Sequence, residues 1–504
     1  MRILHLNDIA GVGRNLAQAQ RALSHDAEAV QIQGNPLTWN ASALRRWRRY
    51  RDADVLHIHG GIWRSHLALG LFKRAFRDQV IVAHLHGSET RTGRGLHHLQ
   101  WADEIVCSTP DLSRLVPRAR WIPNPLPLPR EIALPSTTSQ VVLGHFPSNP
   151  KLKGTEHLLR AFRGLGADPL EATRVGHEKR YVTGETELRV GTRMNPEETT
   201  EAMRECDVVV DQINDLGVYG MVSVEAMALG KVVVCSYDPR HYEHPPLISA
   251  TEQGLSQVLQ DLLARREEWP EIGEAGRRYA EQVHEARAVA GRFLRLYYDM
   301  RNQGRWDTER TVRYWKRRGA GYVDEFQTGR LAPGPYRQQE EALDGVLSRL
   351  EYDSFVEVGC GFGRISRHLQ RPGVRGFGID LSTDQLRSHR EYVGEGALDL
   401  ASGDARSLPI RDGAADLVVA VEVLMHIPPE SMRRALSEMT RVARKYVLTV
   451  DWYEELVTGA QLKYNWIHDY PAAYQDLGLS ADRTSTGDGS RQSIFLAAKR
   501  AVDT

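Results

Sequence analysis

Cysteine is scarce in this chain: four in 504 residues, at Cys107, Cys206, Cys235 and Cys360. They are scattered through apolar or glycine-rich segments with no C-x-x-C pair and no zinc-type spacing, which excludes a disulfide framework and reads as buried free thiols in a reducing cytosol. An excess of one charge is also missing. Lys plus Arg (65) equals Asp plus Glu (65), so no global field argues for nucleic acid or an anionic membrane. No apolar run approaches the length of about eighteen residues needed to span a bilayer. Met1–Leu6 reads as a short strand, because the apolar stretch of a signal peptide does not follow it. No repeat of fixed period occurs. The expectation is a cytoplasmic protein. One basic run, Arg45–Arg51, reads as a solvated helix face or as a patch that meets lipid headgroups or an anionic acceptor, which keeps peripheral membrane contact open.

What is present is ordinary for a globular chain, with 41% hydrophobic and 26% charged residues. The length gives a prior of roughly three domains. Apolar strands alternate with helical stretches throughout, which argues α/β with parallel sheets. Strands are expected at Arg2–Leu6, Ala27–Ile32, Val55–Ile58, Val80–Leu85, Glu104–Ser108 and Arg120–Ile122. A proline-rich passage from Pro123 to Pro135 suits neither helix nor central strand and reads as an interlobe linker. A second α/β series runs from Val141 to about Ile248, with helices to Met300. The expected division is residues 1–138, 139–300, a polar, Arg-rich linker or extension at 301–334, and a last domain at 335–504.

The most informative stretch is Phe355–Gly363 (F-V-E-V-G-C-G-F-G), a buried strand entering a glycine-rich turn. Such a turn allows close backbone approach to a cofactor and aims a helix N-terminus at it. Asp380 ends the next apolar strand, where a carboxylate can grip a ribose diol. A dinucleotide fingerprint beginning at Gly359 would need glycine at position 364, which is Arg364. The stretch resembles motif I of class I S-adenosylmethionine (SAM)-dependent methyltransferases. Gly378–Ser382, Gly403-Asp404-Ala405 with Leu408-Pro409, and Val421–Pro428 resemble the later landmarks in family order. The resemblance implies SAM as cofactor, seated by Glu357, Gly359, Cys360, Gly361, Gly363, Asp380, Leu381, Asp404, Ala405, Glu422 and Val423. An alcohol acceptor would also need a base, for which His426 and His468 are candidates; a carboxylate or phosphate acceptor would need none. His426 reads equally as a residue that shapes the cofactor loop.

In the first three hundred residues, Gly220–Val232 places Glu225 on a helix that opens just after a glycine, with a carboxylate one turn on. This resembles the donor signature of retaining, metal-independent GT-B glycosyltransferases of the glycogen- and sucrose-synthase group. Other stretches resemble the family in the same order: Met1–Leu6 leading to Gly11-Val12-Gly13, the strand ends His57-Ile58-His59 and His84-Leu85-His86, Asp103–Pro110, and the loop ending Lys153-Gly154-Thr155. The resemblance implies two Rossmann-like lobes followed by a third Rossmann-like domain. It also implies a nucleotide-sugar donor substrate contacted by Gly11, Gly13, Tyr219, Gly220 and Met221. Lys153 would stabilise the departing diphosphate, Glu225 would hold the ribose, and His86 would position or deprotonate the acceptor hydroxyl or serve as a packed core histidine. The family pattern has a first glutamate eight positions before Glu225, and Gly217 stands there. Asp211 or Asp215 substitutes only if the loop is reshaped.

The pairs His57/His59 and His84/His86 each share a strand face and invite a zinc reading. No further ligand type has suitable spacing, so no metal is expected. No D-x-D follows an apolar strand in this region, which argues against the metal-dependent glycosyltransferase fold. The sequence therefore reads as a bifunctional enzyme that adds a sugar, of hexosyltransferase type, and then a methyl group to a glycan, lipid-linked glycan or small-molecule acceptor in polysaccharide or natural-product biosynthesis. The alternative is a methyltransferase carrying a non-catalytic nucleotide-binding GT-B scaffold.

Overall fold

The computed structural model describes residues 1–31, 49–60, 79–93, 96–136, 140–166, 172–242, 244–302, 308–328, 333–394, 398–462, 464–487 and 491–499. Arg45–Arg48 of the basic run lie outside the described residues. The chain divides into two compact units, Met1–Phe293 and Leu294–Thr504.

The first unit holds two Rossmann-like sheets. Its first sheet comprises β1 (Arg2–Leu6), β2 (Asp26–Val30), β3 (Val55–His59), β4 (Val80–Leu85), β5 (Glu104–Cys107) and β6 (Arg120–Trp121), in the order β2-β1-β3-β4-β5-β6. All neighbours are parallel. Every residue of β3 and β4 is buried, the mark of central parallel strands covered on both faces. The six strands expected from the sequence are these six: Arg2–Leu6 and Val80–Leu85 match at both ends, and the others differ by one or two residues.

The second sheet comprises β7 (Val141–His145), β8 (Ala172–Val175), β9 (Glu178–Thr183), β10 (Thr186–Gly191), β11 (Val208–Val210), β12 (Val232–Cys235) and β13 (Ile248–Ser249), in the order β13-β12-β11-β7-β10-β9-β8. The all-valine β11 and the V-V-V-C of β12 are adjacent interior strands, buried throughout. The short helix Met221–Ala228 packs against the helix Trp269–His284, and the two approach so closely that a Cβ on Gly273 would lie 2.1 Å from the Gly230 carbonyl oxygen. The proline-rich stretch is pinned at Leu126, whose N–H donates to His284 O and whose carbonyl accepts from Ala286 N–H.

The second unit is built on β14 (Ser354–Val358), β15 (Arg375–Asp380), β16 (Asp399–Ser402), β17 (Ala415–Val421), β18 (Ala443–Trp452), β21 (Ala481–Ser485) and β22 (Gln492–Ala498), with a separate ribbon of β19 (Gln461–Leu462) and β20 (Asn465–Trp466). The order is β16-β15-β14-β17-β18-β22-β21. The first five strands are mutually parallel, while β22 runs antiparallel between β18 and β21. The strand order reverses beside β14, so the crevice at its C-terminal end is where a ligand fits in such a sheet. The whole molecule is thus α/β, with Rossmann-like parallel sheets in both units.

The stretch 301–334, expected as a linker or extension, contains a helix, Thr308–Gln327.

Candidate active sites

In the second unit, β14 ends in the turn Gly359–Gly363, and all three glycines of that turn have positive φ: 71°, 53° and 92°. Left-handed backbone disfavours any side chain there. Space disfavours one as well. A Cβ on Gly359 would lie 2.3 Å from a Val423 methyl, and one on Gly363 would lie 2.3 Å from a Val393 methyl. The turn is tied to the next strand. Gly359 and Cys360 N–H groups donate to Ile379 O at 2.7 and 3.0 Å, and Gly361 N–H donates to Asp380 Oδ2 at 2.9 Å.

Beneath this turn opens a cavity of about 560 Å³. Of the residues assigned to SAM from the sequence, Glu357, Gly359, Cys360, Gly361, Asp380, Leu381, Asp404, Ala405, Glu422 and Val423 line it, as does His426. Gly363 does not line it; its role is the close packing just described. His468 also stands apart from the lining. Its Nε2 lies 3.0 Å from both Leu424 O and Ile427 O, so it clasps the loop after β17 from behind. That corrects its reading as a candidate base.

The electrostatics of the cavity are set by burial. Burial raises the Asp380 carboxyl, against the N–H groups of Ser382, Gly361 and Leu381 that favour its charged form. Glu357 is pushed up to about 8 by burial, despite a hydrogen bond from Ser366. Asp404 is held charged by a two-pronged bond from the Arg406 guanidinium, at 2.9 and 2.6 Å. Glu422 sits at φ 57°, accepts from Gln492 Nε2 at 2.5 Å and pairs with Arg364 at 3.3 Å. His426 is lowered to about 4 by burial, and its Nδ1 lies 3.2 Å from Tyr464 O. That acceptor fixes the proton on Nδ1 and leaves the lone pair on Nε2.

The sequence reading missed the cavity's aromatic side. Trp315 and Tyr322 on the helix Thr308–Gln327, together with Tyr336 and Tyr464, line it. The rings of Trp315 and His426 are 4.3 Å apart between centroids. Arg364 was also missed as a functional group. It lines the cavity, donates to Glu340 and Gln339 at 2.8 Å each, and lies over the Tyr336 ring.

In the first unit, Lys153 Nζ donates to Asp211 Oδ1 at 3.1 Å and to Gln212 Oε1 at 2.7 Å. The other Asp211 oxygen accepts from Gly220 N–H at 2.9 Å and Ser223 Oγ at 2.8 Å. Burial acts to raise the Asp211 carboxyl, but Lys153 and these donors outweigh it and hold it below the usual range. Glycine is needed at 220, because a Cβ there would lie 2.7 Å from Asp211 Oδ2 and 2.8 Å from Lys153 Nζ. Glu225, on the helix Met221–Ala228 that opens at Gly220, is raised to about 7 by burial and by Asp211. Met221, at that helix's first position, is partly buried.

Other expectations fall differently. Tyr219 is buried, stacks on Tyr242, and its hydroxyl meets Tyr279 and His284 at 3.2 and 3.0 Å. Its ring is core rather than a donor contact. Gly217 lies at φ 67° beside Asp238, so the backbone itself accounts for glycine where the family pattern has glutamate. Asp211 serves Lys153, and Asp215 is exposed. Gly11 caps the helix Val12–Ala22 in left-handed conformation, and Gly13 lies in its first turn, where a Cβ would lie 3.5 Å from His59 Nε2. His86 is partly buried with Nε2 3.0 Å from His59 Nδ1.

Residues 356–449 match the family described as Methyltransferase domain. The chain is 35% identical over 103 residues to a ubiquinone biosynthesis O-methyltransferase of Cupriavidus pinatubonensis, covering 20% of this chain and 41% of that protein. It is 30% identical over 95 residues to norajmaline N-methyltransferase of Rauvolfia serpentina, covering 18% and 32%. The chain thus spans about four-tenths or less of the length of these relatives. Among solved structures, Anabaena HepE in complex with UDP and glucose aligns with 14% identity and TM-score 0.43, over 59% of this chain and 99% of that one. Magnesium protoporphyrin IX methyltransferase from Synechocystis with bound SAM aligns with 20% identity and TM-score 0.30, over 42% and 97%. At TM-scores this low neither likeness bears on function.

Proposed function

We propose that the second unit is a SAM-dependent methyltransferase and that the first transfers a sugar from a nucleotide-sugar donor, both acting on a glycan or small-molecule acceptor. The observation that carries the methyltransferase reading is the cavity under the glycine turn, lined by Asp380, Asp404 and Glu422 within the stretch that matches the methyltransferase family. The residues fit SAM. The three glycines of the turn carry no Cβ to bar close approach, and the partly buried Asp380 carboxyl lines the cavity where a ribose diol would be held.

When bound, SAM supplies an electrophilic methyl group. The chain's own residues position the acceptor and keep water out, which is where most of the acceleration of an in-line displacement arises. Neutral His426, its Nδ1 proton fixed on Tyr464 O, is the group that would take a proton from an alcohol acceptor. Trp315, Tyr322 and Tyr464 supply flat apolar surface to such an acceptor.

In the first unit, Lys153 and the helix N-terminus at Gly220-Met221 would stabilise the departing nucleoside diphosphate. Asp211 holds the ammonium in place, and the near-neutral Glu225 can exchange hydrogen bonds with a ribose hydroxyl in either direction. Gly11 and Gly13 would lie beneath the donor phosphates, with His86 toward the acceptor. The nucleotide-binding scaffold reading is favoured only by Gly217, which leaves one donor-sugar contact absent.

The test is to incubate the purified chain with a panel of sugar nucleotides, labelled SAM and acceptors, after mass spectrometry for nucleotides carried through purification. The reading expects sugar-nucleotide consumption and label transfer, with label entry dependent on prior glycosylation. Label transfer without any sugar-nucleotide consumption supports the scaffold instead. Absence of SAM binding removes the methyltransferase reading.

A further inference from the structure

The first sheet carries a layer of histidines that neither proposed activity uses in full. His5, His57, His59, His84 and His86 come from the three adjacent strands β1, β3 and β4 and the residue after β4. Register brings them together: His5 lies opposite His57, and His59 opposite His84. Residues two apart on a strand share a face, so His57 with His59 and His84 with His86 extend the layer along the strands. The rings of His84 and His86 are 4.3 Å apart between centroids, and those of His59 and His84 are 5.1 Å apart.

We propose that His59, His84 and His86 form a binding site for a divalent transition-metal ion of the zinc class. One ring nitrogen from each of the three lies within 4.8 Å of the others. The closest pair, His59 Nδ1 and His86 Nε2, is 3.0 Å apart. Two imidazoles on one tetrahedral ion, with Zn–N bonds of about 2.0–2.1 Å, stand roughly 3.3 Å apart. Rotation about the soft terminal torsion of each ring can close the remaining gap.

A purely hydrogen-bonded histidine core accounts for only part of the cluster. Gln20 Oε1 lies 2.8 Å from His5 Nε2, and His5 Nδ1 lies 3.0 Å from His59 Nε2. With the amide oxygen as terminal acceptor, His5 donates from Nε2 and His59 donates from Nε2 to His5. That leaves the His59 lone pair on Nδ1, facing His86. A metal-binding histidine has this arrangement, with its second nitrogen oriented by an outer acceptor. His84 Nδ1 is 3.2 Å from His57 Nε2. Its own Nε2 is fully buried and has no hydrogen-bond partner among the described residues, and leaving a buried polar atom unsatisfied is costly. An ion held through that nitrogen would satisfy it.

The environment agrees with the geometry. His59 and His84 are completely buried, while His86 is partly exposed and gives the ion an entry path. Three imidazoles leave a fourth position for water or another ligand. The sequence reading expected no metal because it looked for a further ligand along the chain; the third imidazole arrives through strand register.

The proposal stands apart from both transferase readings, because its test reads metal and not turnover. The purified full chain is stripped with chelator, then titrated with Zn²⁺ or Co²⁺, and bound metal is counted by mass spectrometry. One ion per chain at micromolar metal is expected. The Co²⁺ form should show the visible absorption of a four-coordinate site, and Zn²⁺ should raise the melting temperature reversibly. The partly exposed His86→Asn variant should keep its far-ultraviolet circular dichroism and bind less than about a tenth of the wild-type metal. Absence of binding by folded wild type, or equal binding by His86→Asn, overturns the proposal.

Discussion

The Gly361 N–H donates to Asp380 Oδ2 at 2.9 Å, so the glycine turn after β14 and the acid that ends β15 form one structural device. Ser382 N–H takes the other oxygen, Oδ1, at 2.8 Å. A carboxylate has about four acceptor positions, and with the Leu381 N–H also bonded to it one remains for a ribose hydroxyl. The same bonds that shape the turn therefore orient the carboxylate toward the cavity.

Asp380→Ala is expected to weaken SAM binding at least about tenfold, because charge-assisted hydrogen bonds of about 1–3 kcal/mol are lost. Isothermal titration calorimetry with SAM and with S-adenosylhomocysteine measures this. Unchanged affinity, or a preference for a nicotinamide cofactor, rejects the assignment.

The sheets and the glycine turn were legible because they rest on local pattern. Strands such as Val80–Leu85 are continuous apolar runs, and the glycines of 359–363 mark left-handed backbone. The helix Thr308–Gln327 was not legible as part of the cavity. Its inward residues Thr311, Trp315, Tyr322 and Phe326 follow a helical stripe, but Arg, Lys and Glu between them dominate the composition of the stretch. A search for that stripe would have found it. His468 looked like a base because nothing in sequence separates a histidine that faces a cavity from one that clasps its loop. The histidine layer was hidden for a related reason: register between parallel strands is a property of the sheet, not of spacing along the chain.

Lys153→Ala and Glu225→Ala are each expected to lower sugar-nucleotide consumption by about a hundredfold, the usual scale for losing leaving-group stabilisation. Methyl transfer to a pre-glycosylated acceptor should be retained, because that site lies in the other unit. Asp211→Asn should act through Lys153, by loosening its ammonium. Parallel assays of the two half-reactions check this, and equal loss of both activities would point to misfolding instead.

Gly217→Glu restores the family's carboxylate but is expected to fail as a repair. A side chain in left-handed backbone costs about 1–2 kcal/mol, and the new Cβ would press on Asp238 at 3.2 Å. The variant should melt below wild type and consume no more sugar nucleotide than it. A gain in donor turnover without loss of stability would show that the loop accepts the glutamate.

Stability should pass through a maximum near neutral pH, for opposite reasons on its two sides. His5, His284, His426 and His468 are all lowered to about 4 by burial, from 6.5. Above about 6.5 they are neutral whether folded or unfolded, and their contribution is fully present. As pH falls from 6.5 toward 4 the unfolded chain takes up protons that the folded chain refuses, so stability is lost across that window. Glu357 acts in reverse. Its folded carboxyl is raised to about 8 from 4.5, so its contribution is full below 4.5 and is lost as pH rises toward 8. Urea midpoints measured from pH 4 to 9 in the presence of chelator, which removes any contribution from metal, should show both flanks. Glu357→Gln mimics the neutral carboxyl and should reduce only the alkaline one, leaving the part that belongs to Glu225, raised to about 7. A wild-type midpoint constant between pH 4 and 6.5, or an alkaline flank unchanged in Glu357→Gln, would contradict this account of the buried groups.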